Sequence, residues 1–368
     1  MITMIMVLLF GVLSVPNVAK AAKKKTVELN KKTVTLVVGK TQKLTLKNAP
    51  KNKTITWKSS NKKIATVTKK GKITAKKAGK VTITAKAGKK KYTCKVTVIK
   101  KNASDVAALK QLIKQQQRAG AKVPKDIDDS HYKWNQEGRL SYIDWTYTEL
   151  KGTVAFSKFP ALETLDIKDN SLTGLDVSQN ANLKYLDCSI NQLTGLDVSC
   201  NTKLEYLHCG WNQLAELNVD NNVDLEELSC AVNQLTELRV SQNVKLKALL
   251  CGTNQLTKLD VSRNQKLGCL ECQENKLTEL DVHWHKDLWS LNCSYNQLTS
   301  LDVTKNMELW TLFCNDNKLT QLDVSNNLKL EELYCNNNQI TQLDLKKNEQ
   351  LRNLVIDNNV KVIGYNRE

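Results

Sequence analysis

Eight cysteines, Cys188, Cys209, Cys230, Cys251, Cys272, Cys293, Cys314 and Cys335, recur every 21 residues, and Ile167 and Ile356 continue the series at its two ends. A fixed period of this length marks a solenoid, in which each coil buries its apolar side chains only against the coils before and after it. Around each cysteine the chain approximates LxxLxCxxNxLTxLDVSxN. Residues about the second leucine alternate in and out, so each coil should give one short strand to a parallel sheet, with leucine and cysteine turned inward. Side chains such as Leu207, Leu214 and Leu217 then gain roughly 1.5 to 3 kcal/mol each when a neighbouring coil covers them.

Two asparagine columns accompany the apolar ones. One stands three residues after each of the ten series positions, from Asn170 to Asn359, where it should bond the backbone as the chain leaves the sheet. The other comprises Asn180, Asn201, Asn222, Asn243, Asn264, Asn306, Asn327 and Asn348, with His285 once in the place of asparagine. Ahead of the repeats, "SDVAALKQLIKQQQRAG" predicts a helix with Ser104 as N-cap, Val106, Leu109, Leu112 and Ile113 on its apolar face, and Gly120 just past its end. It should cover a divergent first coil in which Leu140, Ile143 and Trp145 take the leucine and cysteine positions. Residues 140–351 then span eleven coils, a sheet of roughly 50 Å.

Upstream the composition changes abruptly. Residues 20–101 hold 27 lysines against the single acid Glu28, net +26, in a chain whose total is +18, so the repeats are mildly acidic. Runs such as "TVTLVV", "KLTL", "TITW", "KITA" and "YTCKVTV" alternate with period two between turn signals, which predicts about seven antiparallel strands in a small sandwich. Outward lysines keep sheet edges from pairing with other chains; the same charge could also hold the protein on an anionic polymer of the cell wall. Nucleic acid is not expected as a partner, because Trp57 and Tyr92 are the only aromatics there for stacking. The start, with an apolar run from Ile5 to Val15 and the triplet Ala19, Lys20, Ala21, predicts a signal peptide over residues 1–21. The expected organisation is an Ig-like module at 22–101, a linker and helical cap at 102–139, and the repeats at 140–368.

The string "WKSSNKKIATVTKKGKITAKKAGKVTITA", residues 57–85, resembles the bacterial Ig-like domain of group 2, a spacer or adhesive module of bacterial surface proteins. Over residues 162–363, the 21-residue repeat with cysteine in the last core position of each strand resembles the internalins, specifically the J type. That resemblance implies a surface adhesin that binds with the concave face of a horseshoe. Here the Ig-like module precedes the repeats instead of following them. The resemblances together imply a mainly β protein: a sandwich, then a leucine-rich repeat solenoid with a concave parallel sheet. They also imply a secreted or cell-surface location and an extracellular protein or glycan ligand.

Little suggests reaction chemistry. Cys269 and Cys272 form a CxxC, but within a strand they point to opposite faces. His283 and His285, with Asp281 and Asp287 nearby, lack a third fixed ligand and read as a solvated turn. No enzyme activity, cofactor or metal is expected. If the framework repeats, recognition belongs to the outward columns that vary. These place Tyr185, Tyr206, His208 and Trp211 together on coils three and four, and Trp289, Tyr295, Trp310, Phe313 and Tyr334 on coils eight to ten, with Leu250 between. Exposed rings on neighbouring coils suit protein and sugar ligands alike.

Overall fold

The structure is a computed structural model that describes residues 26–49 and 53–365. The expected signal peptide lies outside the described residues. The chain divides into two compact units between Lys100 and Lys101.

In the first unit, Thr33–Val37, Lys90–Ile99, Gly79–Ala87 and Ile55–Ser59 form a four-stranded sheet, and Thr41–Lys43, Lys72–Ala75 and Ala65–Val67 a three-stranded one. A small pair, Glu28–Leu29 with Leu46–Lys47, completes it. The alternation does place Ile73, Ile83, Cys94 and Val96 in one core. Two details differ from expectation. Thr33–Val37 pairs parallel with Lys90–Ile99, and "KLTL" is split between two strands. Period-two alternation is the same in parallel and antiparallel pairs, so the sequence held no sign of the first.

The second unit is a β-solenoid of eleven turns. Eleven parallel strands, from Leu140–Asp144 to Asn353–Val355, stack in sequence order with one antiparallel strand, Tyr132–Trp134, on the N-terminal edge. That edge strand falls in the stretch expected to hold only a linker and helix. After a first step of 22 residues, from Ile143 to Leu165, the register advances by 21 per coil, as in Leu186, Leu207 and Leu228. The cysteines are fully buried with the leucines around them, and each donates its backbone N–H across to the next coil, as Cys209 does to the Ser229 carbonyl at 2.8 Å. Burial raises the thiol pKa values throughout the column, up to about 12 at Cys230 and Cys293, so these are neutral packing groups.

The helix Ala103–Arg118 is capped by Asn102, whose side chain accepts the Asp105 N–H, and not by Ser104. The choice follows from Asp105. Fully buried, its carboxylate accepts Arg139 Nε and the Leu140 N–H, both at 2.9 Å, and so ties the helix to the first coil. Behind it, Trp145 stacks near Phe156 and donates to Tyr132 Oη at 2.9 Å, filling the end of the solenoid with rings.

Both asparagine columns carry bonds between coils. In the first, Asn212 Nδ2 donates to the carbonyls of Cys188, Cys209 and Gly210, and its Oδ1 accepts the Leu193 N–H at 2.9 Å. The pattern runs from Asn170 to Asn338 and stops there. Asn359 is exposed in a turn, and the Asp357 carboxylate instead accepts the Asn337 and Asn338 N–H groups to close the C-terminal end. In the second column, Asn201 Nδ2 reaches the Val177 and Asn180 carbonyls of the preceding coil. His285 is fully buried in that column, its two ring nitrogens against the Val282 and Val261 carbonyls, so it does not belong to a solvated turn.

Candidate functional site

Most strand triplets bury the central leucine and leave the residues on either side half-exposed on the outer face of the long sheet; on the third coil Asp187 is itself buried. Because the strands are in register, side chains of one column on adjacent coils stand about 4.8 Å apart. The face is therefore written by two columns. Tyr185, Tyr206 and Glu227 follow one another in the first; Asp144, Asp166, Asp187 and His208 do so in the second.

On coils three to five these columns converge. The Tyr185 ring lies 6.3 Å from Tyr206 and 5.6 Å, edge-on, from His208. His208 Nε2 is 3.0 Å from Glu227 Oε1, and its Nδ1 is 3.7 Å from Asp187 Oδ2. Ser189 holds Asp187 from the other side through its hydroxyl and backbone N–H. Burial opposes a charge on His208, but the two carboxylates outweigh it and push the imidazole pKa up to about 9. At neutral pH the patch thus contains an imidazolium between two carboxylates. Burial, followed by Asp187, Asp166 and Glu227, raises the Tyr185 phenol and keeps it protonated. Beside the patch, Asp166 is raised by burial and by its aspartate neighbours, a file of acids on coils one to three. Sequence reasoning missed Asp187 and Glu227: Asp187 precedes His208 by one coil in the same column, and Glu227 follows by one coil in the neighbouring column.

Trp211 does not join this group. It is 53% exposed, makes no ring contact with the tyrosines, and sits after the strand with φ 55°. The first ten coils, from Tyr147 to Asn337, hold this position in the left-handed region, including the β-branched Ile190 (φ 54°), Val232 (57°) and Thr253 (54°). Such residues rarely adopt it, and the inter-coil bonds around them, such as Trp211 N–H to the Ala231 carbonyl at 2.8 Å, impose it.

The second expected cluster separates into three parts. Phe313 and Tyr334 pack with ring centroids 4.6 Å apart on the outer face. Trp289 and Trp310 precede their strands at the sheet margin, where Trp289 lies over Gly268 so closely that a Cβ there would come within 2.7 Å of its Nε1. Tyr295 occupies the left-handed turn position, 54% exposed, its phenol raised by the nearby Asp316. Leu250 is half-buried between Ser229 and Glu271, two strands from His208 and three from Phe313.

Cys269 faces outward and Cys272 inward, half-buried and fully buried respectively. His283 is exposed while His285 is buried, so the pair cannot share a ligand. Among the described residues, no group of three or more histidine, cysteine or acidic side chains is placed to hold a metal ion. No helix of the described residues is long and apolar enough to cross a membrane.

An Ig-like unit followed by a leucine-rich repeat solenoid makes this a mainly β chain of two modules. Residues 24–98 match the bacterial Ig-like domain (group 2), and that module is one. The solenoid is similar to the functional domain of InlJ from Listeria monocytogenes, which includes a cysteine ladder: 36% identity, TM-score 0.53, covering 60% of this chain and 54% of that one. It is also similar to a leucine-rich repeat protein of Leptospira interrogans at 28% identity and TM-score 0.52, covering 55% and 56%. This chain thus spans about half the length of both. The ectodomain of the Arabidopsis receptor kinase HAESA, solved with a peptide hormone, shares the fold at 19% identity and TM-score 0.58, covering 69% and 49%. No curated protein matches the chain. Both modules are of the kinds that make up bacterial surface binding and adhesion proteins.

Proposed function

We propose that this chain is a secreted or surface-held, non-enzymatic adhesion protein that recognises an extracellular protein on the outer face of its sheet, at the Tyr185, Tyr206 and His208 patch. The observation that carries it is the convergence of three rings with Asp187 and Glu227 on adjoining coils. Rings supply contact area at low entropic cost, while the neighbouring aspartates favour a partner segment bearing lysine or arginine. Phe313 and Tyr334 would form a second contact, with Trp211 and Tyr295 flanking the two. A glycan ligand is the competing possibility, and the lysine-rich module would hold the chain on an anionic envelope polymer.

Capture of host proteins and a glycan array, both with the full chain, would name the ligand. Tyr206→Ala and His208→Ala should each weaken its binding about tenfold or more, with the melting temperature moving little in Tyr206→Ala, while His208→Ala also loses the stability of its ion pairs. Binding unchanged in both variants would remove the patch from the function.

A further inference from the structure

The Ig-like unit carries a groove that its overall charge does not explain. Antiparallel pairing of Thr41–Lys43 with Lys72–Ala75 sets Lys43 directly opposite Lys72. Like charges facing each other across such a pair destabilise it, and the only acid of this unit, Glu28, pairs elsewhere, opposite Lys47. The turn between Ala65–Val67 and Lys72–Ala75 adds Lys69 and Lys70 to the same place. Together with Thr68, these four lysines line an open groove of about 400 Å³.

The turn that presents them is fixed. The Thr68 N–H donates to the Lys72 carbonyl and the Gly71 N–H to that of Thr68, while the Leu44 N–H donates to Gly71. Gly71 adopts φ 80°, and a Cβ on it would collide with the Leu44 carbonyl oxygen and lie 2.9 Å from the Trp57 ring. Thr68 Oγ1 accepts the Lys72 N–H at 3.1 Å, leaving its own proton for an outside acceptor.

We propose that this groove binds phosphodiester groups of an anionic polymer, which would neutralise the opposed ammonium groups. The proposal rests on the reading that the lysine-rich unit holds the chain at the envelope, and names the place and the chemistry. Residues 22–101 contain no arginine, hence no planar fork for bidentate carboxylate recognition. Lysine acts as a point charge suited to phosphates spaced along a flexible chain. None of the groove residues is aromatic, so neither bases nor sugar rings have a surface to stack on.

The test uses the full chain and poly(glycerol phosphate), with polygalacturonate and single-stranded DNA as comparison polymers. One variant carries Lys43→Gln, Lys69→Gln, Lys70→Gln and Lys72→Gln. A control of equal net charge carries Lys58→Gln, Lys86→Gln, Lys90→Gln and Lys95→Gln, all exposed on the four-stranded sheet. The groove variant should bind poly(glycerol phosphate) about tenfold or more weakly than the control, with a shallower dependence on salt. The polymer should also raise the melting temperature of wild type and control but not of the groove variant. Equal losses in the two variants would overturn the groove and leave envelope binding by diffuse charge. Tighter binding of polygalacturonate or DNA would overturn the phosphodiester assignment, and no binding by wild type would overturn both readings.

Discussion

The first asparagine column makes a quantitative prediction at Asn212. In Asn212→Ala, the carbonyls of Cys188, Cys209 and Gly210 each keep another donor: Asn191 Nδ2, Asn233 Nδ2 and the Ile190 N–H. The Leu193 N–H does not, because Asn212 Oδ1 is its partner at 2.9 Å inside a buried turn. One stranded buried donor costs about 1 to 3 kcal/mol, and the vacated carboxamide volume adds to it, so the loss should be about 2 to 4 kcal/mol. Asn359→Ala is the matched control, being an exposed residue of the same sequence column; it should cost less than about 0.5 kcal/mol. Stacked coils share stability between neighbours and can unfold in parts. Hydrogen exchange therefore serves better than a single melting curve: the Leu193 amide should lose protection in Asn212→Ala, while the amide of Leu319, six coils on from Leu193, changes far less. Equal effects of the two substitutions, or unchanged protection at Leu193, would refute the account of the column as a set of inter-coil bonds.

Val232→Asn should stabilise the solenoid, since Asn337 already occupies the equivalent position at φ 55°. The gain, about 0.5 to 1 kcal/mol less any lost apolar contact, is read from the denaturation midpoint, and a lowered midpoint would count against strain there. His208 gives a pH dependence: its folded pKa, about 9, lies above the unfolded value near 6.5. Its contribution is full below about 6.5 and fades as pH rises through about 9, so the melting temperature should fall over that window, but not in His208→Gln. Parallel curves for the two proteins would show that the ion pairs carry no net stability. In native protein, iodoacetamide should modify the exposed Cys200 first and the half-buried Cys269, raised to about 11 by burial and Glu271, far more slowly. Rapid modification of any cysteine in the buried column would refute its account as inert packing.

What was legible in the sequence follows from which forces act with the period. Leu207 and Cys209 had to turn inward, and once they do, Tyr185, Tyr206 and His208 stand on adjacent coils by register alone. Trp211 escaped because its placement depends on a backbone state. The same position holds Ile190, Val232 and Thr253, none of them a residue that announces positive φ. The helix start was ambiguous for another reason: Asn102 and Ser104 are both good caps, and the choice is made by Asp105, whose tie to Arg139 lies 34 residues away in sequence. Likewise, nothing local marks Asp357: its carboxylate takes the Asn337 and Asn338 N–H groups, whose counterparts Asp316 and Asn317 donate to backbone carbonyls of the next coil.

The uniform register of the coils makes the separation between the two ring groups a counted quantity. His208 and Phe313 are five strands apart, or about 24 Å. Crossing-over between two near-identical repeats adds or removes a whole coil, closing the ladders again without any new contact to invent. A lineage carrying this framework could thus retune the span between the two ring groups in steps of about 4.8 Å, while the side chains of each group stay as they were.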